Sequence, residues 1–342
     1  MYNFRNDYSE GAHPDVLSAL CATNLEGNIG YGADHYCARA AALIKDLCQA
    51  PMADVQFLIG GTQVNFTAIC AFLRPWESVV CAATGHINGH EAGAVEATGH
   101  KLLQVEVGPD GKLTPAHIAP ILAYCADEHT TSPRLVYISD ATESGGIYTK
   151  SELTALSNYC RANGLLLFLD GARLASAFGA AENDLTLPDL ARLCDAFYLG
   201  GTKNGALMGE ALVIVAPALQ PGFFRLKKQR GAVLAKGWLL GVQFESLLKD
   251  GLYWDLGRHS TAMAQRLRAG LENLGVPMAS PSPSNLIFPV VPDSLLPKVE
   301  SICTYEVWGK ADDGHTIIRF VTSFATTEEN VDDFLTEVAP LL

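Results

Sequence analysis

From about residue 55 onward, short apolar runs alternate with longer amphipathic stretches. VQFLI (55–59), SVVCA (78–82), LLQVEV (102–107), LVYIS (135–139), LLLFL (165–169), AFYLG (196–200) and ALVIVA (211–216) read as strands. Between them TQVNFTAICAFL, HINGHEAGAVEAT, PAHIAPILAYCAD and KSELTALSNYCRAN read as helices. This alternation predicts an α/β fold, a large and mainly parallel sheet flanked by helices. A continuous apolar run bounded by glycines, as LLLFL is by Gly164 and Gly171, predicts a strand buried on both faces. After about residue 255 the pattern changes. A long helical stretch, TAMAQRLRAGLENLG, is followed by a Pro/Ser-rich loop (277–285), LIFPVV, the amphipathic DSLLPKVESI, TIIRFVTSF and a last helix, TEENVDDFLTEVAPLL. The expected organisation is a large α/β domain over 1–254, including an N-terminal segment, and a smaller α+β domain over 255–342.

The bulk numbers narrow the class of partner. Of 342 residues 49% are hydrophobic and 18% charged, with a net charge of −13. That balance argues against nucleic acid and anionic membranes, whose affinity comes from Lys and Arg. No run approaches the ~20 apolar residues of a membrane span. MYNFRNDYSEG lacks the charged and apolar regions of a secretory signal, so none is expected. Nine cysteines, an odd count without a CxxC pair, read as reduced thiols in a cytoplasmic protein.

The strand ends carry the chemistry. LLLFL runs straight into Asp170, with Arg173 three positions on; the pair is either a helix cap with its ion pair or part of a site. After VQFLI, Gly60, Gly61 and Thr62 open a helix whose free amides and hydroxyl suit an anion, or make an ordinary strand-to-helix turn. After AFYLG, Lys203 stands among Gly200, Gly201 and Gly205 and is the only lysine between Lys150 and Lys227. It is either an exposed turn residue or a desolvated amine usable as a nucleophile. His86 and His90, at i and i+4, have the spacing of two zinc ligands but no evident third, and no metal is expected; a polar His at a site mouth with Glu91 as a cap fits better. In open α/β sheets ligands bind beyond the carboxyl ends of the strands. Taken together, the groups describe a pyridoxal 5'-phosphate site: amides for the phosphate, Lys203 for the aldehyde, Asp170 for the pyridine nitrogen and Arg173 for a substrate carboxylate.

The motifs NDYSEGAHP, GYGAD, GGTQVN, TGHINGHEAGA, LDGAR, GGTKNGALMG and IIRFVTSF extend over nearly the whole chain. In them the sequence resembles the L-threonine aldolases of the fold-type-I pyridoxal-phosphate enzymes, grouped with the β-eliminating lyases. The resemblance implies cleavage of L-threonine, L-allo-threonine or a related β-hydroxy-α-amino acid to glycine and an aldehyde. It makes Lys203 the cofactor lysine and Asp170 the partner of the ring nitrogen. His86 would stack on the ring and, through a water, is one of two candidate bases for the β-hydroxyl proton, Glu143 being the other; Gly60, Gly61 and Thr62 would lie at the phosphate. Arg173, also counted among the cofactor contacts, and Arg319 would bind the substrate carboxylate, with Asn6 reaching the same group. The family forms dimers of dimers with shared sites, so Tyr31 would come from a neighbouring subunit, and Lys228 or Arg230 would reach the partner's phosphate. One departure stands out. Where many members carry a His that contacts the substrate hydroxyl, this chain has Glu143, as a base or as a cap of the next helix. Two alternatives use the same residues: β-elimination on another amino acid, and a non-catalytic cofactor-binding scaffold.

Overall fold

The apolar runs assemble as one sheet in a computed structural model that describes all 342 residues, Met1–Leu342. The first strand, β1 (Tyr2–Asn3), lies apart from it. β2 (Asp54–Leu58), β3 (Glu77–Ala82), β4 (Leu102–Val105), β5 (Ser132–Ser139), β6 (Leu166–Asp170), β7 (Ala196–Gly200) and β8 (Glu210–Ile214) join in the order β2-β8-β7-β6-β5-β3-β4. β3 to β7 are mutually parallel, whereas β8 is antiparallel to both β7 and β2. ALVIVA is thus the reversed strand of the sheet. Only residues 201–209 separate it from β7, too few for the crossover of a dozen or more residues that a parallel neighbour requires.

β6 is buried along its whole length, as its composition predicts. Leu167 and Leu169 enter the larger core, and Leu166 and Phe168 the core on the opposite face, so successive side chains serve two helical layers. The helices Gly61–Phe72, Pro115–Tyr124 and Lys150–Ala162 lie where the amphipathic stretches predict them. HINGHEAGAVEAT does not form one helix. Only His86–Gly89 is helical, and Ala92 and Gly93, at φ 52° and 74°, turn the chain before a 3-10 turn at Glu96–Thr98.

The C-terminal part builds a second, antiparallel sheet. LIFPVV divides into β9 (Leu286–Ile287) and β10 (Val290–Pro292), with Pro289 between them, and both pair with β13 (His315–Val321). β11 (Cys303–Thr304) pairs in parallel with β1, and the edge strand β12 (Glu306–Asp312) pairs with β13. β12 has no legible pattern because most of its residues are exposed. Residue 254 lies inside the helix Leu252–Asn273, which gives Tyr253 and Leu256 to the large core and Met263, Leu267 and Leu271 to the small one. Phe4 packs at 5.4 Å from Phe320 and 5.2 Å from Phe334, so the N-terminus docks on the small sheet. No helix is long and apolar enough to cross a membrane.

The strand directions place the loops after β2, β3, β5, β6 and β7, and the start of β8, along one edge of the large sheet. Gly60–Thr62, His86, Glu143, Asp170, Lys203 and Glu210 all come from that edge.

Candidate active site

A cavity of about 490 Å³ opens at this edge, walled on its far side by Glu306, Val307, Trp308 and Arg319 of the small sheet. It brings together nine of the expected residues: Gly60, Gly61, Thr62, His86, Glu143, Asp170, Arg173, Lys203 and Arg319.

Asp170 is the last residue of β6. The hydroxyls of Tyr137 on β5 and Tyr198 on β7 both donate to it, as do Asn65 Nδ2 at 2.9 Å and the Ala172 N–H at 2.9 Å. Burial works against its charge, but His86 and these donors outweigh burial and hold the carboxyl below its ordinary range. It caps no helix: the next one starts at Leu174, with Arg173 in the cap position.

Asn65 continues the network, its Nδ2 also donating to Glu91 Oε1 at 2.8 Å. Glu91 Oε1 in turn lies 2.7 Å from His86 Nδ1. Glu91 is therefore not a cap but a buried carboxylate that fixes the His86 ring, leaving its Nε2 free. His90 lines the same cavity, 5.7 Å from His86 between ring centres.

Lys203 lies across the cavity. Its Nζ makes no hydrogen bond or ion pair within the protein and sits 6.0 Å from the Tyr8 ring centre. Burial first, and then the Arg173 charge, lower its pKa against the pull of Asp7, Asp170 and Glu210. An amine so placed is a better nucleophile than an exposed lysine.

Glu143 Oε1 accepts from Ser139 Oγ at 2.9 Å and from the His86 N–H at 3.1 Å. It does not cap Lys150–Ala162, which Thr149 and Glu152 close with a capping box. Burial and the charge of Asp170 raise its pKa.

Two arginines face the cavity in different states. Arg173 is held by Asp7, Nε to Oδ2 at 2.7 Å and Nη2 to Oδ1 at 3.0 Å, and Asn285 Nδ2 donates to the same carboxylate at 3.0 Å. Breaking such a buried pair from one side costs about 3–5 kcal/mol, so Asp7 anchors the N-terminal segment over the site. Arg319 has no carboxylate of its own. Its Nε is buried without a partner, its guanidinium stacks 5.4 Å over Trp308, and burial followed by the Arg173 charge lowers its pKa. Of the two, Arg319 is the open receptor for an incoming anion.

At the sheet end nearest β2, Gly60 gives the helix Gly61–Phe72 no side-chain cap, and its first amides stay available. A β-carbon on Gly61 would lie 3.0 Å from the Tyr198 hydroxyl, which serves Asp170. The donor set fits an aromatic aldehyde bearing a phosphate: free amides for the phosphate, an unpaired amine for the aldehyde, a buried carboxylate for a ring N–H.

Four expected residues stay outside this cavity. Asn6 accepts from the Tyr8 N–H at 3.0 Å and Ser9 Oγ at 2.9 Å, closing its own loop, and its neighbour Tyr8 lines the cavity instead. Tyr31 is exposed under Lys228, whose Nζ lies 4.6 Å from the ring centre. Arg230 Nη2 points to Cys70 Sγ at 3.1 Å. None of these three reaches the site of its own chain. Sequence reasoning missed Asp7, Asn65, Tyr137, Tyr198, Glu210 and Trp308, and misassigned Glu91. The two tyrosines had a signal: Tyr137 and Tyr198 sit on the strands flanking β6, on the same face as Asp170.

Comparison with known proteins agrees with this geometry. Residues 3–294 match the family model for β-eliminating lyases. A low specificity L-threonine aldolase of a Pseudomonas species is 33% identical over 291 residues, 83% of each chain. The solved structure of a Leishmania major threonine aldolase is 48% identical with a TM-score of 0.98, covering 100% of this chain and 99% of the other. An aspartate aminotransferase of Thermus thermophilus shares the fold at 15% identity, TM-score 0.74, over 100% of this chain and 92% of the other.

Proposed function

The chain belongs to the β-eliminating lyase family, and from that premise we propose that it is a pyridoxal-phosphate-dependent aldehyde-lyase. Its reaction cleaves L-threonine, L-allo-threonine or a related β-hydroxy-α-amino acid to glycine and an aldehyde. The observation that carries this reading is Lys203, an unpaired amine in a cavity that also holds a stabilised Asp170 carboxylate and the unpartnered Arg319.

When bound, pyridoxal phosphate supplies an electron-accepting ring conjugated to the substrate nitrogen. Asp170 holds the proton on the ring nitrogen, and its donors from Tyr137, Tyr198 and Asn65 keep the carboxylate fixed and charged. Arg319 binds the substrate carboxylate, with the N–H groups of Arg173 that Asp7 leaves free, and so orients the bond between Cα and Cβ. His86, its ring held by Glu91, would stack on the cofactor ring. Glu143 accepts the β-hydroxyl proton; its raised pKa brings it nearer the working pH, where a general base is most effective. Lys203 delivers the proton to Cα that completes glycine. Two chains share each site, with Tyr31 and either Lys228 or Arg230 of one chain serving the other.

Borohydride reduction of the cofactor-loaded protein, followed by proteolysis and mass spectrometry, tests the lysine assignment. The pyridoxyl mass is expected on Lys203. Lys227 is the control, a buried lysine whose pKa burial lowers to about 8. A label confined to Lys227 would move the site elsewhere.

A further inference from the structure

Glu210 has no part in the chemistry above, yet it is 3% exposed and lines the same cavity. As the first residue of β8 it stands opposite Leu58 of β2 and Gly200 of β7. Those two strands lead into Gly60–Thr62 and Thr202–Lys203, so the carboxyl occupies the floor between the two loops. The Gly201 N–H donates to Oε2 at 3.0 Å, and the neighbouring Thr202 hydroxyl accepts from the Gly209 N–H at 3.0 Å. The carboxyl group therefore shares a cavity with the uncapped amides of Gly61 and Thr62, the donors suited to a phosphate.

Resting on the pyridoxal-phosphate reading of this cavity, we propose that Glu210 is a phosphate contact that works as a neutral acid, donating its proton to a phosphate oxygen and taking that proton from solvent as the cofactor binds. The charged and titratable groups facing it are Lys203, Asp170 on β6, Tyr198 on β7 and Tyr253 on the helix Leu252–Asn273. The first turn of Gly61–Phe72 carries no charged residue. Lys203 is the only cation among them, and the cofactor aldehyde claims it. A phosphate dianion beside an ionised Glu210 would gather three negative charges against one dedicated cation, Lys228 or Arg230 of the other chain. Burial, opposed by Thr202, Lys203 and Gly201, already lifts the side chain to about 7 with no phosphate present, and a bound phosphate lifts it further. Below that value the acid is protonated before binding and the pH has little effect. Above it each binding event must take up a proton, so affinity falls by up to about tenfold per pH unit.

The test compares wild type and Glu210→Gln, whose amide keeps the size and a donor without titrating, in equilibrium binding of pyridoxal phosphate and of phosphate-free pyridoxal. At pH 6 the two proteins are expected to bind pyridoxal phosphate alike. At about pH 8.5 the Gln variant binds it up to roughly thirtyfold more tightly, whereas the two pyridoxal profiles stay parallel. Wild-type calorimetry at pH 8 in two buffers of different ionisation enthalpy reads the same step without a variant. It should count about one more proton taken up with pyridoxal phosphate than with pyridoxal. Parallel pyridoxal-phosphate profiles with no extra proton overturn the proposal. So does the same divergence with pyridoxal, because Glu210 would then act on Lys203. If wild type binds neither compound, the cofactor reading itself falls.

Discussion

Lys203→Ala yields a folded protein that no longer turns over substrate. The side chain is partly buried but makes no hydrogen bond or ion pair, so its removal leaves no partner stranded and the melting temperature is expected to change little. Its two tasks, holding the cofactor aldehyde and delivering the proton to Cα, have no substitute in the cavity. Positioned proton transfer alone is worth about 10²–10⁴-fold, so kcat is expected to fall at least that far. Added methylamine should restore part of the rate, since a free amine can replace the lost proton carrier. Turnover near the wild-type rate in Lys203→Ala would remove this lysine from the chemistry.

Asp170→Asn is the second large effect, and it separates binding from catalysis. The substitution keeps the side-chain volume, and the amides at Gly61 and Thr62 and the amine of Lys203 are untouched, so the cofactor still binds. What is lost is the charge that holds the ring proton as electrons arrive. Removing one preorganised electrostatic partner costs about 10²–10³-fold in kcat, and the loss should appear in kcat more than in KM. The variant also turns an acceptor for three side-chain donors, Tyr137, Tyr198 and Asn65, into a group with its own N–H. A fall in melting temperature is therefore expected alongside. A variant with unchanged kcat would show that Asp170 serves only the fold.

Much of this was legible in the chain because the signals are local. An apolar run ending in Asp170, glycines around Lys203 and a glycine pair before Thr62 mark strand ends, and strand ends of a parallel sheet converge by geometry. The rest depends on register and on long-range docking. Asn65 and Glu91 pair in a chain whose helix ends at Gly89, just before Glu91, where a continuous helix was expected. Asp7 reaches Arg173 because Phe4 packs under the small sheet, a contact spanning most of the sequence. Glu210 faces the cavity because β8 is reversed, a direction that the alternation of apolar runs leaves open. Tyr31, Lys228 and Arg230 came from the family resemblance alone, and one chain places none of them in its own site.

The central claim is the bond that breaks, and product identification tests it most directly. Cofactor-loaded protein is mixed separately with L-threonine, L-allo-threonine and β-phenylserine, with Lys203→Ala as the blank. Glycine with the matching aldehyde is the expected result, and the ratio between the two threonines then reads what Glu143 does at the hydroxyl. Ammonia with a 2-oxo acid, and no glycine, would contradict the account.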